Sequence, residues 1–363
     1  MAEEWFVRVQ EKEYGPVDVE TLREWQSEGR LIPENPVRAA SEVDWMTARE
    51  IPGLFGGADL SAKEIVESPE LAQRRSFAGI VAETCRIYAR GFLQFSALAL
   101  LVGIPLLGFQ LSFAYIHYVE GEPVSATTRI ASVLAILFAA AVLVSWPIFV
   151  AGLQFAAGEN AAGRPARLGE ILRRAVNHWP RVARLSLLVY GSYIFWTALP
   201  LLLILTLAGV PSVWLILLAL LLLALQVYMA GRLFVNFMFW QQSSTLGGLE
   251  GAAALVESRE LARSRRDAPR FQRPLWRGAI LASIWLVILL LFSAALEMPF
   301  VAVRLQGITN FEQAYATMMQ LAQAPTPDAM AIASTVLSSL LHTILRPLLG
   351  IAFVVLYFDA KGG

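Results

Sequence analysis

The sequence predicts a small α+β head followed by an all-α polytopic body that crosses a membrane six times. Composition gives the first sign, since 56% of the 363 residues are hydrophobic and 16% are charged, against about 25% charged in soluble domains. The mean hydropathy is +0.56. Six apolar runs carry the excess, each reaching the roughly 20 residues that an α-helix needs to cross a hydrocarbon core. Residues 1–57 contain no such run, and their 12 Asp/Glu against 6 Lys/Arg make an acidic head of net −6 before a body of net +6.

Within the head, Trp5-Phe6-Val7-Arg8-Val9 alternates as a strand does, Tyr14-Gly15-Pro16 is a turn signal, and Val19 to Trp25 has the three- and four-residue apolar spacing of a short helix that Gly29 stops. A domain of this size has a marginal core, so its aromatic residues are needed for folding. Residues 58–75 are polar without a sustained apolar stripe and form a linker with one helical turn. The membrane domain, 76–363, follows with spans expected near 92–116, 130–157, 185–209, 212–240, 279–303 and 329–358.

Orientation follows from the basic residues. Segments 58–91, 158–184 and 241–278 hold 18 Lys/Arg, whereas the opposite loops hold Arg129 and Arg304. Positive loops stay in the cytoplasm, so both termini are expected inside, with a tight external hairpin at Val210-Pro211. The N-terminus has no basic region followed by an apolar one, so no cleaved secretory signal is expected, and no lipidation motif is visible.

A repeat of roughly 90 residues is suggested, because a basic amphipathic stretch precedes each odd span. The first carries Phe77, Ile80, Val81, Thr84 and Tyr88 on one face and Glu83, Arg86 and Arg90 on others. In the second, Leu168, Ile171, Leu172, Ala175, Val176 and Trp179 lie opposite Arg173, Arg174, Asn177 and Arg181. The third has Leu255 and Val256 followed by Arg259, Arg263 and Arg266. These read as three units of interfacial helix plus two-span hairpin, their arginines acting as positive-inside anchors or, alternatively, as sites for anionic lipid headgroups. In the external loop 304–328, Phe311, Tyr315, Met318, Met319 and Ala322 share a helical face that Asn310 caps, which reads as a surface helix or as a lid over a pore.

The head carries a nameable pattern: Trp5-Phe6, Gly15-Pro16-Val17, Leu22, Trp25, Gly29-Arg30-Leu31 and the later Trp45. It resembles the GYF family of small adaptor domains, in the variant of its bacterial branch, over about residues 4–55. The resemblance implies a groove that takes proline-rich peptides as preformed polyproline II helices on aromatic rings. On this chain the groove would use Trp5, Tyr14, Gly15, Pro16 and Trp25. Val17, Leu22, Arg30 and Leu31 stand where the family has Phe, Met, Tyr and Phe. The body resembles the multi-span membrane domain of glycerophosphoryl diester phosphodiesterase-type proteins, in the basic stretch leading to Phe92, Pro105, Gly158-Glu159 and the closing Leu356-Tyr357-Phe358-Asp359. That resemblance implies a membrane domain without its catalytic barrel, for which this chain has no room.

Ionisable residues within spans are costly, and each is a functional candidate. Arg232 and Glu297 lie near span ends and snorkel to headgroups. Arg346 lies midway along the sixth span, one turn after His342 and directly before Pro347, whose ring frees a carbonyl near Thr343. His342 and Arg346 either line an anion or substrate path or bond to the freed carbonyls and fix the bundle. Gln154, Glu159 and Asn160 cluster at the inner end of span two. His117 and His178 are expected at the interface, and Cys85 as packing.

No HExxH, GxSxG, Walker loop or paired intramembrane aspartate is present, so neither catalysis, a cofactor nor a metal is expected. One cysteine excludes an intramolecular disulfide framework, and the absence of a basic soluble face argues against nucleic acid. The reading is a multi-pass protein of a bacterial inner membrane. Its GYF-like head binds a partner protein or peptide as part of a scaffold or regulator, and a transporter or channel lined by His342 and Arg346 is the alternative.

Overall fold

Alternation along Trp5–Val9 is realised as β1 in the computed structural model, which describes residues 4–9, 12–27, 30–32, 35–40, 45–48, 51, 54, 74–116, 123–164, 167–207, 212–322 and 326–362. The chain divides into two compact units, Met1–Glu64 and Ile65–Gly363. In the first, β1 pairs antiparallel with β2 (Lys12–Val17) on one side and with β3 (Pro36–Ala39) on the other, and β4 (Met46–Thr47) completes the order β2-β1-β3-β4. Trp5, Val7, Val37 and Ala39 point to one face and join Leu22 of α1 (Val19–Ser27), Leu31, Ala48, Ile51 and Leu54 in the core.

Gly15-Pro16 is not a turn. It lies inside edge strand β2, where the register shifts between Trp5↔Val17 and Val7↔Tyr14. An edge strand tolerates a residue with no N–H, and an irregular register absorbs the extra residue. Gly15 has φ +139°, and a Cβ there would lie 2.6 Å from the Trp5 carbonyl oxygen. Only glycine fits that conformation and that contact. Asp18 starts α1, with Oδ1 accepting from the Thr21 amide at 2.8 Å and the Thr21 hydroxyl at 2.7 Å. Those bonds favour the ionised carboxylate and hold its pKa below the usual 3.8. At the other end of α1, the amides of Arg30 and Leu31 both donate to the Trp25 carbonyl, at 2.8 and 3.1 Å. Gly29, the expected helix stop, lies outside the described residues.

The second unit is helical. Its order is α2 (Phe77–Arg90), α3 (Phe92–Ala114), α4 (Ala126–Ala161), α5 (Leu168–Asn177), α6 (Trp179–Leu207), α7 (Val213–Phe237), α8 (Trp240–Thr245), α9 (Gly251–Ala262), α10 (Pro274–Arg304), α11 (Phe311–Ala322) and α12 (Ala329–Lys361). α3, α4, α6, α7, α10 and α12 are each long and apolar enough to cross a membrane. Several outrun the expected spans: α4 has 36 residues, about 54 Å at 1.5 Å per residue and well beyond a 30 Å hydrocarbon core. The hairpin at Val210-Pro211 and nearly all of linker 58–75 lie outside the described residues.

The core of this unit sits at the arginine-rich end of the spans. Phe149 to Asn160 of α4 and Ile351 to Ala360 of α12 are buried without interruption, as a helix apolar all round requires. α2 packs on α12, α5 on α4, and α9 on α7 and α8. The buried stripe of α2 runs Ile80, Thr84 and Ile87, whereas Val81, expected on that face, is 39% exposed. α3 and α12 approach closely through Gly103, where a Cβ would meet the Thr343 hydroxyl oxygen at 2.5 Å.

Asp359, fully buried near the end of α12, ties this end together. It accepts from the Arg75 amide at 2.7 Å and pairs with Arg265 and Arg277, each at 3.0 Å. Arg277 also donates to the Arg75 carbonyl at 2.9 Å. Arg265 holds φ 56°, a conformation costing about 1–2 kcal/mol outside glycine. Its guanidinium bonds to both the carboxylate and the carbonyl of Asp359, which offsets that cost.

Candidate binding surfaces of the head and the membrane body

On the head, the register places Tyr14 opposite Val7 on the face that carries α1. Tyr14 is 46% exposed, and Pro16 on the same strand is also exposed. Trp25 packs partly against the core and carries the Arg30 guanidinium 5.3 Å from its ring centroid. Trp5 does not offer such a surface. At 4% exposure it belongs to the core, because β1 is central and its odd residues face the helix. Of the residues expected in the groove, Tyr14 and Pro16 are therefore exposed and Trp25 is half-buried, while Gly15 lets β2 approach the Trp5 carbonyl.

The opposite face of the same sheet carries a stack that the sequence did not announce. Arg8 lies 3.9 Å over Trp45, Arg38 lies 5.4 Å from Trp45 and 5.0 Å from Phe6, and Glu13 pairs with Arg8 at 2.7 Å. Guanidinium groups cover these rings, so this face presents charge more than aromatic surface. Its only sequence signal is the alternation that puts Phe6 and Arg8 opposite Trp5 and Val7.

In the membrane body, a cavity of about 330 Å³ lies where α4, α6, α7, α8, α10 and α12 converge, within the usual size of small-molecule sites. Trp146, Tyr190, Trp240, Trp285 and Phe353 supply aromatic wall, and Arg346 enters it from α12. Tyr190 packs edge-on against both Trp146 and Trp240, at 5.9 and 6.1 Å. Arg346 Nη1 is buried and has no hydrogen-bond partner among the described residues. Gln241 and Gln242 also line the cavity. They belong to an amide network in which Gln154 donates to Gln241 at 3.0 Å, Gln242 donates to Gln154 at 3.1 Å, and Gln241 donates to the Tyr190 oxygen at 3.4 Å.

His342 is not part of this lining. Its Nε2 lies 3.0 Å from the Ser293 hydroxyl of α10, so the structure separates the two residues that the sequence paired. Helix α12 runs unbroken through Pro347, and the Thr343 hydroxyl bonds back to Ser339 O at 2.8 Å. Arg232 is exposed on α7 near the arginine-rich end and is not among the residues lining this cavity. The Gln154, Glu159 and Asn160 cluster is a buried network: Glu159 pairs with Arg174 at 2.8 Å, and Asn160 reaches Gln94 at 3.1 Å. Arg174, expected among headgroups, is thus used internally, as is Arg181 on the Leu249 carbonyl at 3.0 Å. Arg173, Arg259 and Arg266 remain exposed. His178 stacks edge-on against Phe155 at 5.0 Å, and His117 lies outside the described residues. Cys85 is exposed on α2.

The model of the GYF domain 2 family matches residues 5–54, so the head is a GYF domain. No curated protein and no solved structure matches the chain.

Proposed function

We propose that this multi-pass protein is a scaffold or regulator whose GYF head binds a partner protein or peptide and holds it at a membrane. The observation that carries the reading is the exposed Tyr14 and Pro16 on β2 and the half-buried Trp25 on α1, in a domain of a kind that takes proline-rich peptides. An extended proline-rich segment loses little conformational entropy on such a surface. The basic connections support a cytoplasmic head and C-terminus in a bacterial inner membrane. Exposed Arg173, Arg259 and Arg266 support contact with anionic headgroups. The body's resemblance to the membrane domain of glycerophosphoryl diester phosphodiesterase-type proteins adds no activity to this reading. We assign the chain no catalysis.

The test is capture of crosslinked partners by tagged full-length protein, wild type against Tyr14→Ala. Tyr14 is outside the head's core, so the variant keeps the fold. A partner recovered by the wild type and lost in the variant supports the groove, and equal recovery overturns it.

A second reading, a transporter or channel, is favoured by the cavity beside Arg346. His342 drops out of that path and Arg346 remains. Arg346→Gln would then change flux of an anion in proteoliposomes while leaving the protein folded; flux indistinguishable from the wild type would retire this reading.

A further inference from the structure

Arg346 presents an energetic difficulty that Arg265, Arg277 and Arg174 do not share. Those three are matched: Asp359 faces Arg265 and Arg277, and Glu159 faces Arg174. Among the described residues, the wall of the cavity that Arg346 enters holds no Asp or Glu, and Nη1 has no hydrogen-bond partner. A guanidinium at mid-span without an anion is costly. Chemistry that relieves this cost must bring acceptor oxygens carrying negative charge, and a carboxylate or phosphate meets a guanidinium with two parallel hydrogen bonds.

The surroundings specify the rest of the ligand. Gly350 of α12 packs on Leu153, with Gln154 Nε2 4.0 Å from its Cβ position, so the amide layer lies about one helical turn from Arg346. Gln242 Oε1 in that layer is buried and also has no partner among the described residues. Most of the remaining wall is aromatic or aliphatic. α7 and α10 both border the cavity, through Phe234 and Phe237 on one side and Ala282 and Trp285 on the other. They do not pack extensively on each other, and each carries exposed leucines, Leu220 and Leu221 on α7 and Leu290 and Leu291 on α10. An apolar chain can pass between these helices while its polar end stays inside.

We infer that this cavity binds an anionic amphiphile, its carboxylate or phosphate on Arg346 and its acyl chain between α7 and α10. The inference does not rest on partner binding by the head. Fatty acids and acidic phospholipids of the bilayer share the required chemistry, and a quenching experiment separates them. Bromine on an acyl chain quenches indole fluorescence near contact, and Trp146, Trp240 and Trp285 border the cavity. Full-length protein in phosphatidylcholine vesicles is titrated with 9,10-dibromostearate, or with phosphatidylglycerol brominated in its chains, against brominated phosphatidylcholine as the neutral reference. Trp214, 80% exposed on α7, contributes the non-saturable background common to all three.

The expected result is a saturable component with at least one anionic probe, weakened by about tenfold or more in Arg346→Gln, as loss of a charge-assisted pair implies, and partly restored in Arg346→Lys. Ala282→Phe fills the cavity while keeping the charge and is expected to weaken the same component. If Arg346→Gln fails to fold, Ala282→Phe decides. Saturation by dibromostearate alone assigns a free fatty-acid-like ligand, and by phosphatidylglycerol alone a bilayer lipid; either supports the site. Quenching by both anionic probes that matches the neutral reference overturns it, as does a component unchanged in the folded variants.

Discussion

Replacing Asp359 by Asn leaves Arg265 and Arg277 facing a neutral acceptor where little water reaches, since their side chains are 11% and 9% exposed and that of Asp359 is 0% exposed. Breaking a buried charge pair from one side costs about 3–5 kcal/mol, so Asp359→Asn should lower the thermal midpoint of the detergent-solubilised protein sharply. An unchanged midpoint would show that the pairing carries no stability. Asp18 gives a pH prediction of definite sign. Its folded pKa is lowered by the Thr21 bonds, so its contribution to the head is complete above the unfolded value of about 3.8 and is lost as pH falls through the lower folded value. Unfolding of the head, followed by its tryptophan fluorescence, should show this acid loss in the wild type and less of it in Asp18→Asn. At this scale the sequence was informative about identity and silent about pairing. Arg346 stood out because a charge inside an apolar run is visible on inspection, whereas Asp359 meets arginines 82 and 94 positions away, a proximity that no local pattern encodes.

Helices α3 and α12 are set by one small residue against one branched one. Gly103→Ala would place its Cβ 2.5 Å from the Thr343 hydroxyl, and overpacking of this kind costs about 1–3 kcal/mol. The same substitution in a Thr343→Ala background should cost much less, and a double-mutant cycle in thermal unfolding measures the difference. Additive effects would mean that the helices do not touch there. The existence and type of these elements were legible because long apolar runs have a single physical solution in a bilayer. Their ends were not. Hydropathy registers the hydrocarbon, but α4 and α12 continue past it as helices buried against α2, α5, α8 and α9. Gly15-Pro16 misled for a similar reason: its turn chemistry is genuine, yet the edge of a sheet accommodates it equally well.

At the scale of the molecule, orientation, cavity and head make separate demands. In a Cys85→Ser background, cysteine at Glu260 on α9 should react with an impermeant maleimide only after the inner face is exposed. Cysteine at Glu312 on α11 should react in intact spheroplasts, and the reverse pattern would invert the topology. The six spans and the acidic head could be read along the chain, and so could the identity of the head, from Gly15-Pro16, Trp25 and Trp45 at their spacings. The cavity could not, because helices far apart in sequence converge to make it, and the glutamines beside Arg346 look unremarkable until Gln154 joins them. Nor could the sequence show that Trp5 serves the core while Tyr14 serves the surface. Recruitment of a partner to a membrane is measured by fractionating cells and quantifying the membrane-associated share of the captured partner with wild-type protein and with Tyr14→Ala. The expected result is a partner in the membrane fraction that moves to the soluble fraction in the variant. An identical distribution in the two strains would contradict it.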